Sequence, residues 1–174
     1  EFHREGKRFF LWASFFDPHP QYMVPEPYAS MYDPKEVTVP RYREGEFDDK
    51  PPYFTLSQQN HPDFSAYQEP GGNYIHGSGT HPASAELKAQ NIALMYGMMT
   101  MLDTYIGKIL DRLEKLGLAE QTLVCFTTDH GDFLGQHGLT KKAIHHYEDL
   151  LRVPLVISRP RSEEHTSELQ SLSH

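Results

Sequence analysis

The 174-residue chain contains one cysteine, carries a formal net charge of −8 and has no long apolar run. A single cysteine excludes an internal disulfide, and the place of Cys125 in an apolar run predicts a small core side chain and not a nucleophile. The net negative charge is unlike that of a nucleic-acid-binding protein, which carries clustered positive charge, so we expect no nucleic-acid partner. Because no apolar run approaches the roughly 18 to 20 residues that span a bilayer, we expect no membrane span either.

The composition, with 38% hydrophobic and 23% charged residues, is that of a soluble globular protein long enough to build one core. Short apolar runs occur on either side of a long helical pattern. Continuous apolar runs are typical of strands that are covered on both faces. We therefore predict an α/β fold with a mostly parallel central sheet flanked by helices.

The first predicted strand is the aromatic and apolar run KRFFLWASFF at residues 7–16, which Asp17 and Pro18 end. Prolines on both sides of His19 restrict its backbone and present its imidazole on a stiff loop at the end of this strand. On these residues alone, His19 is either an ordinary surface-loop histidine or a functional group placed at a strand end.

Residues 21–82 are the least regular part and hold most of the chain's 13 prolines, together with many tyrosines. Proline, glycine and aspartate at this density disfavour long helices and central strands. A stretch of this length inside a compact domain is either functional or ordered by packing on the rest. We assign no site to its histidines, which are polar loop residues in the simplest interpretation.

The clearest predicted helix covers residues 84–116. Its apolar residues recur at the three- and four-residue spacing of one buried face: Leu87, Leu94, Met95, Met98, Leu102, Ile106, Ile109, Leu110, Leu113 and Leu116. Ser84 is a suitable N-cap and Gly117 a suitable left-handed C-terminal cap. Gly97 and Gly107 would allow a neighbouring element to approach closely.

The stretch that contains candidate metal-binding residues follows this helix. The apolar run 123–126 predicts a buried parallel strand, and Asp129, His130 and Gly131 come directly after it. Ligands bind at the carboxyl ends of strands in open α/β sheets, and an acid beside an imidazole can hold a divalent cation there. The alternative is that Asp-His-Gly is an ordinary turn composition.

Lys141 and Lys142 could face an anionic substrate or be exposed solvated charges. We interpret His137 as structural, and His145 and His146 as helix-start or packing residues. The apolar run 153–157 predicts a further strand. The final stretch, which contains RSEEHTSELQS, is similar to translated sequencing-adapter sequence, so we expect residues 161–174 to be an artefactual, disordered tail.

These segments resemble, in order, the later part of a sulfatase catalytic domain of the alkaline-phosphatase-like superfamily. The shared features are a strand followed by D-P-H-P, which resembles the family's D-P-H-x-P, then a long helix before a second strand, DHG, LG-x-HG, a lysine and YE-x-x-x-RVP. His130 replaces a more frequent asparagine, which resembles the branch that includes choline-sulfatase-like, phosphonate-monoesterase-like and many carbohydrate sulfatases. The resemblance implies a partial catalytic domain over residues 1–160, with residues 21–82 at the rim of the substrate pocket.

The resemblance also implies roles for four residues. Asp129 and His130 would bind the metal, with Ca²⁺ first and Mg²⁺ or Mn²⁺ as alternatives. Lys142, chosen over Lys141 by its register with the family pattern, would hold a sulfate oxygen. His19 would contact the same sulfate group and handle the proton of the ester oxygen, so His19 and Lys142 would be both catalytic and substrate-binding.

Two family features are missing from the chain: the C/S-x-P-x-R motif, whose cysteine or serine becomes formylglycine, and the early pair of metal-binding acids. Cys125 does not fit the motif. We expect both features upstream of Glu1 and an isolated fragment that is inactive.

The resemblance makes a sulfuric ester hydrolase acting on a small-molecule or carbohydrate sulfate ester the leading hypothesis. Two alternatives remain: a phosphonate or phosphate ester hydrolase of the same superfamily, and a non-catalytic member that keeps the fold. Many sulfatases are periplasmic, secreted or lysosomal, and no residue here selects a compartment. The oligomeric state is equally open.

Overall fold

A computed structural model describes residues 6–59, 63–67, 83–142 and 144–159. The predicted tail at 161–174 lies outside these residues. The helices and strands, in chain order, are α1 (Pro52–Leu56), α2 (Ala85–Lys115), β1 (Val124–Thr127), α3 (Glu148–Leu151) and β2 (Leu155–Ser158). Among the helices of this described part, none has the length and apolar character needed to cross a membrane.

Helix α2 confirms the prediction made from its periodicity. The Ser84 hydroxyl accepts a hydrogen bond from the Leu87 N–H at 3.2 Å and so caps the first turn. At the other end, Gly117 adopts a φ of +68°, the left-handed conformation that ends many helices. Arg112 and Lys115 lie in the last turn, where positive charge complements the helix dipole.

Only the first half of α2 is well buried. Its buried residues are Ile92, Ala93, Met95, Gly97 and Met98. A side chain at Gly97 would collide with the Tyr28 carbonyl, so the expected close approach is confirmed there. Around Gly107, no atom of the described residues would meet an added Cβ. The apolar stripe in the second half of α2 remains partly exposed, with Ile109 and Leu110 on the surface.

The two strands pair antiparallel, with Val124 opposite Ser158 and Thr127 opposite Leu155. The described residues therefore contain an antiparallel ribbon where we predicted a mostly parallel sheet, and residues 7–16 form no strand. The predicted burial of this region is also wrong here, because β2 is exposed along its length and Cys125 is exposed. The physical reason is that a two-stranded sheet has no layer of its own to cover its faces.

The main core is aromatic and joins distant parts of the chain. It comprises Phe47, Phe54, Phe133, Leu139 and Leu150, with Tyr53 and Tyr147 packed against it. The residues before residue 60 come from the irregular stretch before α2, and the residues from Phe133 onward follow β1. Packing on this core orders the described part of the irregular stretch and places it beside the segment that follows Asp129.

Candidate functional site

The segment between Gly131 and Lys142 folds back on itself. The Phe133 N–H donates to the Lys141 carbonyl at 2.9 Å, and the Gly135 N–H donates to the Leu139 carbonyl at 2.8 Å. Three residues other than glycine have positive φ here: Leu134 at 45°, His137 at 55° and Lys141 at 60°. Such conformations cost free energy and persist where the surrounding structure imposes them, often at functional sites. The fold-back returns Lys142 to the start of the segment.

Lys142 thereby reaches His130, twelve residues earlier. Its Nζ lies 2.8 Å from His130 Nε2, and His130 Nδ1 lies 2.7 Å from the Gly131 carbonyl oxygen. A carbonyl can only accept, so Nδ1 carries a proton, and an ammonium can only donate, so Nε2 presents its lone pair. The geometry therefore assigns a neutral His130 with its hydrogen on Nδ1.

Asp129 completes this group. Its Oδ2 lies 3.7 Å from His130 Nε2, and its side chain is 84% exposed. Slight burial raises the pKa of the Asp129 carboxyl, but hydrogen bonds from the backbone N–H groups of Asp129 and His130 and from the Thr128 hydroxyl outweigh it, so the pKa is lowered. The structure thus brings together three of the four predicted residues, with an ionised carboxylate and an imidazole lone pair on the same side.

These two groups fit part of a metal site. The Nδ1–H of His130 is held by a carbonyl, the usual arrangement for a histidine that ligates through Nε2. The 3.7 Å between Asp129 Oδ2 and His130 Nε2 is a separation that two ligands of one ion can span. Within the described ranges no group of three or more His, Cys, Asp or Glu side chains could hold a metal. Further ligands would have to come from elsewhere in the protein.

Gly131 is required by packing and not by a positive φ. Its N–H donates to the Leu150 carbonyl at 3.0 Å. A Cβ at this position would collide with the Asp149 carbonyl oxygen and lie 2.9 Å from the carbon that bears it. The missing side chain therefore lets α3 pack directly against the backbone that follows Asp129 and His130.

His19 lies on an exposed turn and is the fourth predicted residue. Its N–H donates to the Phe16 carbonyl at 3.2 Å, its ring lies 4.8 Å from the Phe16 ring, and its Nδ1 contacts the Pro20 carbonyl. Three residues later, the Tyr22 hydroxyl donates to Asp132 Oδ2 at 2.8 Å. The turn that carries His19 is thus tied to the residue that follows the Asp-His-Gly motif.

His137 makes three contacts that were not predicted. His137 Nδ1 contacts Glu46 Oε1, and its Nε2 lies 3.1 Å from Asp149 Oδ2. Its ring stacks on Tyr147 with centroids 3.8 Å apart. These contacts give His137 the structural role that we expected, but the partners, like Tyr22 and Asp132, lie too far apart in the chain for any local sequence pattern to pair them.

His145 is a packing residue, which is one of the two roles that we expected for it. It is fully buried, and among the described residues neither ring nitrogen has a hydrogen-bond partner. Its ring contacts the aromatic side chains of Phe47, Tyr53, Phe54 and Phe133. Burial, with a smaller contribution from His146, lowers the pKa of His145 to about 4.

Comparison with known proteins places the chain in a family. The multifunctional alkaline phosphatase superfamily protein PehA of Trinickia caryophylli is 29% identical over 96% of this chain and 32% of its own length. The N-acetylglucosamine-6-O-sulfatase of Bacteroides thetaiotaomicron is 34% identical over 56% of this chain and 18% of its own length.

Among solved structures, the phosphonate monoester hydrolase SpPMH of Silicibacter pomeroyi superposes with a TM-score of 0.63 and 28% identity, over 83% of this chain and 27% of its own. The chain thus spans about a third or less of these relatives. The α/β character of the fold agrees with this likeness. The Sulfatase family profile matches residues 1–174, so the chain belongs to the Sulfatase family.

Proposed function

We propose that this chain is part of a metal-dependent hydrolase of sulfate esters. The observation that carries the proposal is the convergence of Asp129, His130 and Lys142, in a chain that belongs to the Sulfatase family. The Lys142 ammonium group can hold an anion, and the Asp129 carboxylate and the His130 lone pair beside it can hold a cation. This combination suits binding of a tetrahedral oxyanion.

Each residue has a distinct part in this proposal. Asp129 and His130 would hold a divalent cation, with Ca²⁺ first and Mg²⁺ or Mn²⁺ as alternatives, and the cation would supply Lewis-acid polarisation of the oxyanion. Lys142 donates to an oxygen of the sulfate group and stabilises its negative charge. His19 would donate a proton to the leaving oxygen from Nε2 of its doubly protonated ring, while its Nδ1–H is held by the Pro20 carbonyl.

The His130 lone pair accepts a hydrogen bond from the Lys142 ammonium group. Lys142 therefore lies beside the residues that would hold the cation, and its other N–H groups would donate to an oxygen of the substrate. The nucleophile, a formylglycine in the family pattern, is expected outside this chain, and we propose a sulfated carbohydrate as the substrate.

A second candidate is hydrolysis of a phosphonate or phosphate ester. It is favoured by the structural likeness to SpPMH, a phosphonate monoester hydrolase, and by the similarity to PehA. Sulfate and phosphonate groups are both tetrahedral oxyanions, so the same cation and lysine could serve either.

The discriminating experiment uses the complete protein, purified with its metal. We expect turnover of p-nitrophenyl sulfate to exceed that of p-nitrophenyl phenylphosphonate, and both to be lost after chelation and restored by Ca²⁺. Faster turnover of the phosphonate would select the second candidate. No turnover of either, in a metal-loaded protein that carries the nucleophile motif, would contradict both and favour a non-catalytic member.

A further inference from the structure

We propose that the hydrogen bond between Tyr22 and Asp132 is a cross-link that positions His19 relative to Asp129, which makes Tyr22 a positioning residue for the reaction. This inference rests on the proposed function, because it assumes that His19 and Asp129 act on the same substrate group.

The cross-link is well formed and largely shielded from water. The Tyr22 hydroxyl donates to Asp132 Oδ2 at 2.8 Å, and the other carboxylate oxygen accepts from the Leu134 N–H at 2.9 Å. Tyr22 is only 8% exposed and packs with Met95 and Met98 of α2. A hydrogen bond to a charged acceptor in such surroundings is stronger than one between neutral exposed groups. Burial, and then Asp132, raise the pKa of Tyr22, so its hydroxyl keeps the proton that it donates.

The cross-link lies at the same short distance along the chain from both proposed site residues. Tyr22 follows His19 by three residues, and Asp132 follows Asp129 by three. Three residues span at most about 11 Å even when fully extended. Pro18 and Pro20 stiffen the backbone around His19, so a movement of Tyr22 is transmitted to His19 and not absorbed by the turn.

Positioning of this kind affects rate more than binding. Two groups that act on one substrate must be held within a fraction of an ångström of the productive geometry, and a shift of 1 Å can lower turnover about 100-fold. The rings and helices around Tyr22 would remain in place without the hydroxyl. Loss of the bond should therefore change the relative placement of His19 and Asp129 while the fold is kept.

A purely structural role is the competing interpretation, and the chain offers a matched control for it. The Tyr32 hydroxyl makes a 2.8 Å hydrogen bond with the Thr100 hydroxyl on the same helix α2. Tyr32 also belongs to the stretch between the His19 turn and α1, and its ring packs edge-on against Tyr96. Tyr32→Phe removes a similar bond that has no link to the segment after Asp129.

The test compares Tyr22→Phe with Tyr32→Phe in the complete, metal-loaded protein, with p-nitrophenyl sulfate or p-nitrophenyl phenylphosphonate, whichever the wild type turns over. We expect Tyr22→Phe to lower kcat about tenfold or more with KM within about twofold, and Tyr32→Phe to leave kcat unchanged. Asp132→Ala should lower kcat at least as much as Tyr22→Phe, because it also removes the acceptor of the Leu134 N–H. The double variant should be no worse than Asp132→Ala alone. Asp132→Asn should retain part of the activity, because its amide can donate to the Tyr22 hydroxyl.

A wild-type kcat in Tyr22→Phe, or an equal loss in Tyr32→Phe, would overturn the inference. His19→Ala separates this failure from failure of the proposed function. If His19→Ala is inactive while Tyr22→Phe is fully active, only the cross-link proposal is wrong. If His19→Ala turns over at the wild-type rate, the assigned role of His19 is wrong, and the cross-link proposal is contradicted with it.

Discussion

At the scale of single residues, Lys141 and Lys142 are chain neighbours in different surroundings. Lys142 Nζ contacts His130, whereas Lys141 has a left-handed backbone whose carbonyl closes the fold-back with Phe133. The resemblance to the family pattern predicts Lys142 and not Lys141 as the substrate-binding lysine. The contact with His130 supports that choice because it places this ammonium beside the proposed metal ligands.

Lys142→Ala should therefore lower kcat by about 100-fold or more in the complete protein, since a cation that stabilises the oxyanion is lost. Lys141→Asn is the matched control, because asparagine tolerates positive φ and keeps the backbone carbonyl. We expect it to retain turnover within a few-fold. Steady-state kinetics of both variants decide the question, and equal losses would refute the distinction between the two lysines.

The lowered pKa of His145 predicts how the stability of the folded state depends on pH. Its pKa is about 4 in the folded protein against a model-peptide value of 6.5, so between these pH values the unfolded chain binds a proton that the folded chain excludes. The stability of the folded state should therefore fall as pH decreases from about 6.5 to about 4, and level off below.

His145→Phe should remove this part of the pH dependence, because an apolar ring that cannot titrate replaces the imidazole. The ring nitrogens of His145 have no hydrogen-bond partner within the described part of the chain, so no such bond is lost. Melting temperatures of the wild type and the variant between pH 4 and 7 measure the effect. A variant that keeps the wild-type pH dependence would show that His145 does not carry it.

At the scale of elements, Gly131 allows α3 to pack against the backbone that follows Asp129 and His130. Gly131→Ala would force the Asp149 carbonyl away and break the hydrogen bond to Leu150, at a cost of about 1–3 kcal/mol. Because Asp129 and His130 precede it directly, turnover should fall with stability.

Gly107→Ala on α2 is the matched control. Its added Cβ meets open space, and alanine is the better helix former by about 0.5–1 kcal/mol. Thermal denaturation of the complete protein should show a lower melting temperature for Gly131→Ala and an equal or higher one for Gly107→Ala. An unchanged melting temperature in Gly131→Ala would contradict the described contact.

Helix α2 could be predicted closely from the sequence because its signals are local: a three- and four-residue apolar spacing, Ser84 before it and Gly117 after it. The strands could not, since pairing depends on residues far along the chain. The run at β2 was recognised as a strand, but its antiparallel register with β1 is set by a partner about 30 residues away.

At the scale of the whole molecule, three predicted site residues meet because the fold-back after Asp129 returns Lys142 to His130. The sequence could suggest the residues through their resemblance to a family motif. It could not suggest the contacts made by the neighbouring residues, Tyr22 with Asp132 and Glu46 with His137. These contacts join positions separated by 110 and 91 residues.

Large apolar side chains are exposed on several segments of the chain. The strands β1 and β2 and the run at residues 9–16 carry large exposed side chains, including Trp12 at 75% and Ile157 at 60%. The chain spans about a third or less of its relatives, so the proposed activity belongs to the complete protein.

The most direct test of the central claim is the metal content of the complete protein and of its Asp129→Ala variant, measured with turnover on the same samples. We expect the wild type to bind a divalent cation and the variant to lose both the cation and turnover, because the carboxylate is a ligand. Full metal content with wild-type turnover in Asp129→Ala would contradict the assignment of the site.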